Sequence, residues 1–227
     1  MTSAPPPLAV IVPTLNAQAE LVETLAGLPP WAEVIVVDGG STDATVELAT
    51  GAGATVLRTT AGRGVQLAAG ATAAQASWML FLHADTRLDA KAWAGLTAHL
   101  ADETNIGTAA AFGFRLETDA WQARLLEFGV RLRVALLALP YGDQGLVIHR
   151  GLYNQVGGFS PLPLMEDVDL VRRLGRRRLR ILTGRAVTSA DRWRRRGWVR
   201  QSLLNLRCLA LYLTGTPPAK IARIYGR

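Results

Sequence analysis

The chain predicts an α/β fold: a mostly parallel central sheet with helices on both faces. Three observations lead there. Short apolar runs alternate with longer segments of helical spacing, the runs are apolar at consecutive positions as doubly covered strands require, and each run stops at turn residues. The first strand is Leu8–Pro13, closed by its proline, with a helix beginning near Ala17. Glu33–Asp38 is the second, and the helix after it starts near Thr42, where Ser41 or Thr42 can cap. Ala54–Arg58 and Trp78–His83 follow as strands, with helices from about Gly64 and Ala90, the latter capped near Asp89. This is a repeated βα winding. Past Asn105 the rhythm changes: Thr108–Leu116 reads as a strand, Asp119–Leu139 as a long helix, Gly145–His149 as a strand and Arg150–Val156 as a short helix. A helix opens at Glu166 after a Pro-rich turn, and Leu179–Thr183 is the final strand. Trp198–Leu213 has amphipathic spacing, with Trp198, Leu203, Leu204, Leu206 and Leu209 beside Arg200 and Arg207. The resulting division is a loose Pro-rich tail over 1–7, a main domain over 8–197 and a helical extension over 198–227, packed on the domain or on a membrane surface.

At 227 residues and 49% hydrophobic content the chain holds enough apolar material for one full core, which excludes disorder. No apolar stretch reaches the roughly 18 residues that cross a bilayer, and Leu8–Val12 is too short for a signal sequence, so a cytoplasmic location is expected. The single cysteine, Cys208, excludes an internal disulfide and reads as a small core hydrophobe. A net charge of +7 calls for an acidic partner: nucleic acid, anionic lipid or a phosphorylated substrate. Arg172 to Arg200 contains twelve arginines with Asp191 the only carboxylate between Leu174 and the end of that run. Codon composition can raise arginine over lysine, but it does not cluster it.

In open parallel sheets ligands bind beyond the carboxyl ends of strands, beside helix N-termini. Pro13-Thr14-Leu15-Asn16, Val37-Asp38-Gly39-Gly40-Ser41 and Leu82-His83-Ala84-Asp85-Thr86 are such exits. Asp38 can accept from a ribose hydroxyl or a base N–H, or simply build a turn. His83 and Asp85, two residues apart, can share a cation, or Asp85 can end the strand. Glu166-Asp167-Val168-Asp169 crowds carboxylates at a helix start, either to meet the dipole or to supply a general base. Tyr141-Gly142-Asp143-Gln144-Gly145 is a polar loop entering a strand.

Taken together and in order, Val12–Asn16, Val36–Asp43, Gly62–Gln66, Leu82–Thr86, Gly157-Gly158-Phe159 and Met165–Leu170 with Arg172 resemble the family 2 glycosyltransferases of GT-A fold, across Leu8 to about Leu182. Within that family the chain looks like a short, stand-alone bacterial subgroup. The resemblance implies inverting transfer of one sugar from a nucleotide diphosphate donor, most often a UDP-sugar, to a hydroxyl or carboxylate acceptor, lipid or isoprenoid acceptors included. Pro13, Thr14, Asn16, Asp38 and Gly40 would line the nucleotide, Arg63, Gln66 and Ala84 would border the donor, and Asp85 with His83 would hold Mg²⁺ or Mn²⁺. Asp167 would be the base, with Glu166, Arg192, Trp193 and Arg194 as candidate contacts to acceptor or diphosphate; from their position in the sequence alone, Trp121, Tyr141 and Asp143 are further candidates for the acceptor side.

Two departures are visible. The first position of the metal motif is His83 rather than an acid, and Asp191-Arg192-Trp193 resembles only the tail of the processive synthases' Gln-x-x-Arg-Trp motif, so single-sugar transfer is expected. The basic C-terminal helix suits the inner face of a membrane or packing on the domain. A nucleotidyltransferase shares the metal and the diphosphate and stays open, whereas a nucleic-acid module lacks any signature beyond charge.

Overall fold

The structure, a computed structural model, describes residues 7–226. Eight strands form one sheet in the order β3-β2-β1-β4-β7-β6-β8-β5: β1 Leu8–Thr14, β2 Glu33–Asp38, β3 Thr55–Arg58, β4 Trp78–Phe81, β5 Thr86–Leu88, β6 Ala109–Leu116, β7 Leu146–His149 and β8 Leu179–Thr188. The helices are α1 Gln18–Ala26, α2 Thr45–Gly51, α3 Arg63–Ala73, α4 Ala90–Ala101, α5 Trp121–Leu137, α6 Arg150–Gln155, α7 Glu166–Leu174, α8 Asp191–Arg196, α9 Trp198–Leu213 and α10 Pro218–Tyr225. Strands β3, β2, β1 and β4 pair in parallel, as do β6 and β8, while β7 runs antiparallel between β4 and β6 and β5 runs antiparallel to β8.

The consecutive apolar runs have the cause inferred for them. In β1, Leu8, Val10 and Val12 enter the core on one side of the sheet, with Leu21, Leu96 and Phe112, and Ala9 and Ile11 enter the core on the other, with Leu67, Met79 and Leu170. Two faces are buried, so every position is apolar. Helix α3 lies close on the sheet because it carries Gly70, where a Cβ would come within 2.4 Å of Ile11 Cγ2.

The structure corrects several boundaries. Strand β4 ends at Phe81, which frees His83 for the exit loop, and β8 runs on to Thr188 instead of stopping at Thr183. Its outer half passes through a register irregularity against β6 and through Gly184 at φ 91, where a Cβ would meet the backbone of Ala92 at 2.0 Å. Only glycine lets β8 pass the start of α4 there. Strand β5 was not foreseen, being three residues long, and neither were α8 and α10. Of the expected tail, Met1–Pro6 lie outside the described residues, and the Pro7 carbonyl accepts from the Trp78 N–H at 3.2 Å. Helices α9 and α10 pack on α7 through Cys208, Leu209, Ile221 and Ala222 against Val168 and Val171. No helix among the described residues is long and apolar enough to cross a membrane.

Candidate active site

The parallel register sets Thr14 beside Asp38 at the carboxyl ends of β1 and β2. Asp38 is 1% exposed and its carboxylate is fully engaged. Its Oδ1 accepts from the Ser41 hydroxyl at 2.5 Å and from the Thr14 hydroxyl at 3.2 Å, and its Oδ2 accepts the Gly40 and Ser41 N–H groups at 2.9 Å each. Burial alone would raise this carboxyl, but the Ser41, Gly40 and Thr14 donors outweigh it and hold Asp38 below the ordinary range. Asn16, at φ 51, ties the two loops: its Oδ1 accepts the Thr42 N–H at 2.9 Å and its own N–H donates to Ser41 Oγ at 2.8 Å. From α3, Gln66 Nε2 donates to the Thr14 and Val37 carbonyls, both at 2.8 Å. Thr14, Asn16, Asp38, Gly40 and Gln66 are thus brought together, as a self-satisfied frame. Pro13 is buried within β1, and the exposed surface of this frame is offered by Asn16 and Gly40.

A second constellation forms where β4, the Tyr141–Gln144 turn and the start of α7 meet. Arg63 opens α3 and pairs its Nε with Glu166 Oε1 at 2.7 Å, Glu166 being 1% exposed. Burial would lower Arg63, but Glu166 and Asp167 overcome it and keep the guanidinium charged. Arg63 Nη1 stands 3.2 Å from His83 Nε2; a guanidinium can only donate, so Nε2 is assigned as the acceptor and the ring proton as sitting on Nδ1. Asp167 Oδ2 accepts the Gly142 N–H at 2.8 Å and its Oδ1 the Val168 N–H at 2.8 Å. Gly142 fits between the two partners: a Cβ there would sit 2.6 Å from His83 Nε2 and 3.4 Å from Asp167 Oδ2. The turn is anchored by Gln144, whose Nε2 donates to the Phe112 carbonyl at 2.8 Å.

Asp143 projects from the same turn, and its Oδ1 finds no hydrogen-bond partner among the described residues. Burial pushes its carboxyl up to about 6, against the pull of Arg133 and Arg192 and with the help of Asp167 and Asp85. Tyr141 is pushed up to about 12 by burial, although the Arg133 guanidinium lies 3.4 Å from its ring centroid. Arg192 Nη2 lies 3.8 Å from Asp85 Oδ2. Two clefts meet here: one of about 280 Å³ beside Asp85, Arg195 and Arg196, and one of about 70 Å³ lined by His83, Tyr141, Asp143 and Asp167, with Arg192 and Tyr225 bordering both. Ala84 is in the intervening loop, its carbonyl accepting from Thr24 Oγ1 at 2.7 Å.

The expected residues do not all converge. Arg194 turns to Asp191 at 3.5 Å, in an adjoining cleft that also reaches Asp85 and runs out to Glu23 and Arg87. Trp121 is 70% exposed on the outside of α5. Trp193 is 4% exposed, packed against Phe114, and lines the smaller cleft. Three participants carried no sequence signal of their own: Arg133, a cation within a helical repeat; Gly142, whose N–H does the work; and Tyr225, far beyond the last motif. For a cation, Asp85 is the suited donor, a carboxylate whose side chain is 26% exposed at the cleft edge. His83 presents Nε2 to Arg63 instead, and no group of three or more His, Cys, Asp or Glu side chains is placed to hold a metal among the described residues. A divalent ion here fits one protein oxygen completed by phosphate and water oxygens.

Comparison with known proteins bears on the family and the fold. The profile of Glycosyl transferase family 2 matches residues 9–161, more than half of the chain. No curated protein matches significantly. Among solved structures, S. aureus TarS 1-349 is similar with a TM-score of 0.61 at 18% identity, over 81% of this chain and 60% of that one. The same fragment in complex with UDP-GlcNAc gives 0.60 at 16%, over 81% and 58%. Glucosyl-3-phosphoglycerate synthase from Mycobacterium tuberculosis, in complex with Mn²⁺, UDP and glucosyl-3-phosphoglycerate, gives 0.57 at 21%, over 81% and 70%. The chain therefore spans about 60% of the length of the TarS fragment, and these likenesses bear on the fold. With the family profile matched from β1 through α6, the chain belongs to glycosyl transferase family 2 and, like these structural relatives, has the GT-A fold.

Proposed function

We propose that the protein transfers one sugar from a UDP-sugar to an acceptor oxygen with inversion at the anomeric carbon. The observation that carries this reading is the convergence of Asp85, Arg192 and Asp167 on adjoining clefts at the carboxyl end of β4. The nucleoside rests on the Asn16–Gly40 surface of the self-satisfied frame, whose rigidity fixes its position. Arg192 faces the diphosphate, and Asp85 would hold a divalent cation, which would supply charge neutralisation for that leaving group. Asp167, oriented by the Gly142 and Val168 N–H groups, accepts the acceptor's proton as the new carbon–oxygen bond forms and the bond to the diphosphate breaks. Attack and departure take place on opposite faces of the sugar, which inverts its configuration, as in single-displacement glycoside chemistry. Tyr141 and Asp143 border the acceptor side. The relatives support the donor class, since TarS is seen with UDP-GlcNAc and the mycobacterial synthase with UDP and Mn²⁺.

The test is nucleotide release from a panel of UDP-sugars with Mn²⁺ or Mg²⁺, first without acceptor, where slow hydrolysis suffices. One sugar giving UDP that Asp85→Ala abolishes is the expected result. Release of pyrophosphate from a sugar phosphate and UTP would move the reading to nucleotidyl transfer.

A further inference from the structure

Two neighbouring helices turn apolar stripes outward. On α5 the stripe is Trp121, Leu125, Phe128, Leu132 and Leu136, which are 48–70% exposed. Their spacing of three or four residues puts them on one side of the helix, while Ala123 and Val130 face the core. On α9 the stripe is Val199, Leu203, Leu206 and Leu213, which are 44–72% exposed, with Gln201, Cys208 and Leu209 facing inward. The helices flank one cluster, since Leu126 and Val130 of α5 and Trp198 at the start of α9 all pack against Phe114, Ala190 and Trp193. A soluble surface scatters its large hydrophobics singly, and aligned rows of this kind mark an interaction surface.

The charge around the stripes selects the partner. No Asp or Glu follows Asp191 anywhere in the chain. Arg196, Arg200 and Arg207 follow one another along a groove of about 560 Å³ between α9 and α10, whose walls are Leu203, Leu204 and Ile224. The groove shares Arg196 and Tyr225 with the larger cleft beside Asp85, so an arginine-lined surface continues from the site to the stripe. A second copy of the chain packed stripe to stripe would bring these arginines against their own images. An anionic bilayer meets both features at once, acyl boundary against the leucines and phosphates against the guanidinium groups.

We infer that the outer faces of α5 and α9 dock the protein on an anionic lipid surface, with the arginine groove at the headgroups and the mouth of the site at the membrane. The inference stands on the exposed stripes and the one-signed charge, independently of the sugar-transfer reading.

Cosedimentation with vesicles tests it, using equimolar phosphatidylglycerol and phosphatidylcholine against phosphatidylcholine alone. The full chain is expected to pellet with the mixed vesicles and to stay in solution with the neutral ones. Each arginine near an anionic surface contributes roughly five-fold in affinity, so Arg200→Gln/Arg207→Gln is expected to bind at least about ten-fold more weakly. Leu203→Ser/Leu206→Ser and Leu125→Ser/Phe128→Ser are expected to lose binding each on their own, with unchanged circular dichroism and unchanged UDP binding. Absence of binding to the mixed vesicles overturns the proposal, and so does binding that both serine pairs leave intact, which would reduce it to bulk charge. A concentration-dependent dimer that the serine pairs dissolve, without vesicle binding, overturns it in favour of a second copy.

Discussion

Two aspartates on opposite sides of the site divide the molecule. Asp38, in the βα half, has both oxygens occupied by four donors and a carboxyl held below the ordinary range. Asp143, in the second half, is also enclosed, yet one oxygen lacks a partner and its carboxyl rises to about 6. The first carboxylate builds, and the second is left with unspent capacity. Buried polar groups in a folded chain are ordinarily paired, so an unpaired one beside a cleft marks where structure has been traded for chemistry. The same contrast separates the frame, where Gln66 donates to the Thr14 carbonyl and Asn16 bonds to Ser41 and Thr42, from the Asp167–Asp85–Arg192 group, which faces open clefts.

The sharpest way to break the comparison is at Asp167. Asp167→Asn keeps the shape and removes proton acceptance, so transfer to a hydroxyl acceptor is expected to fall by roughly 10²–10⁴-fold while UDP binding persists; steady-state kinetics with calorimetric UDP titration reads both. A variant as active as wild type would remove Asp167 from the chemistry. Next comes the frame. Asp38→Ala strands the Ser41 and Gly40 donors inside the loop, and a loss of about 2–4 kcal/mol is expected in urea unfolding, with a proportionally lower midpoint. Loss of transfer without loss of stability would make Asp38 a ligand contact instead of a structural one.

Asp143→Asn should act in the opposite sense. The folded carboxyl binds its proton more tightly than the unfolded one, so the native state takes up more protons between the model-peptide value of 3.8 and about 6, and stability falls as pH rises through that window. The cost is complete above it. Replacing the group with the neutral amide is therefore expected to raise stability at pH 7–8 by on the order of 2 kcal/mol and to change little below about pH 4. Thermal unfolding across pH measures it, and destabilisation at pH 8 would contradict the enclosed, under-partnered carboxyl.

The smallest expected effect lies at the rim of the site. Arg194→Gln should leave transfer within about two-fold, because its guanidinium faces Asp191 across an exposed ion pair of low worth. A loss matching that of Asp85→Ala would put Arg194 on the donor after all.

How much of this the chain announced depends on the same division. The first four strands are legible because burial on two faces writes itself as unbroken apolar runs, and the strand exits are legible because each holds its polar residues in sequence. Beyond residue 109 the site draws on single residues from distant elements. Arg133 reads as one more surface cation on a helical repeat, yet it points inward to Tyr141 and donates to Gln144 Oε1 at 3.1 Å. Gly142 contributes an N–H, for which no side chain speaks. Strand β5 is too short for periodicity, and α8 is four-sixths arginine with Trp193 as its one buried anchor. Trp121, placed near the acceptor by its position in the sequence, stands outward on α5 because the helix buries Ala123 and Glu127 instead. The resemblance carried the order of the motifs, and only the structure shows which of those residues hold the frame and which face the cleft.

The most direct test of the functional assignment is calorimetric titration of UDP, with Mn²⁺ present and then removed by chelation, into the full chain and into Asp85→Ala. The account predicts saturable one-to-one binding that weakens at least about ten-fold on chelation and equally in Asp85→Ala, with chelation adding nothing further in the variant. UDP binding indifferent to both changes, or no binding under any condition, would contradict a donor site at the carboxyl end of β4.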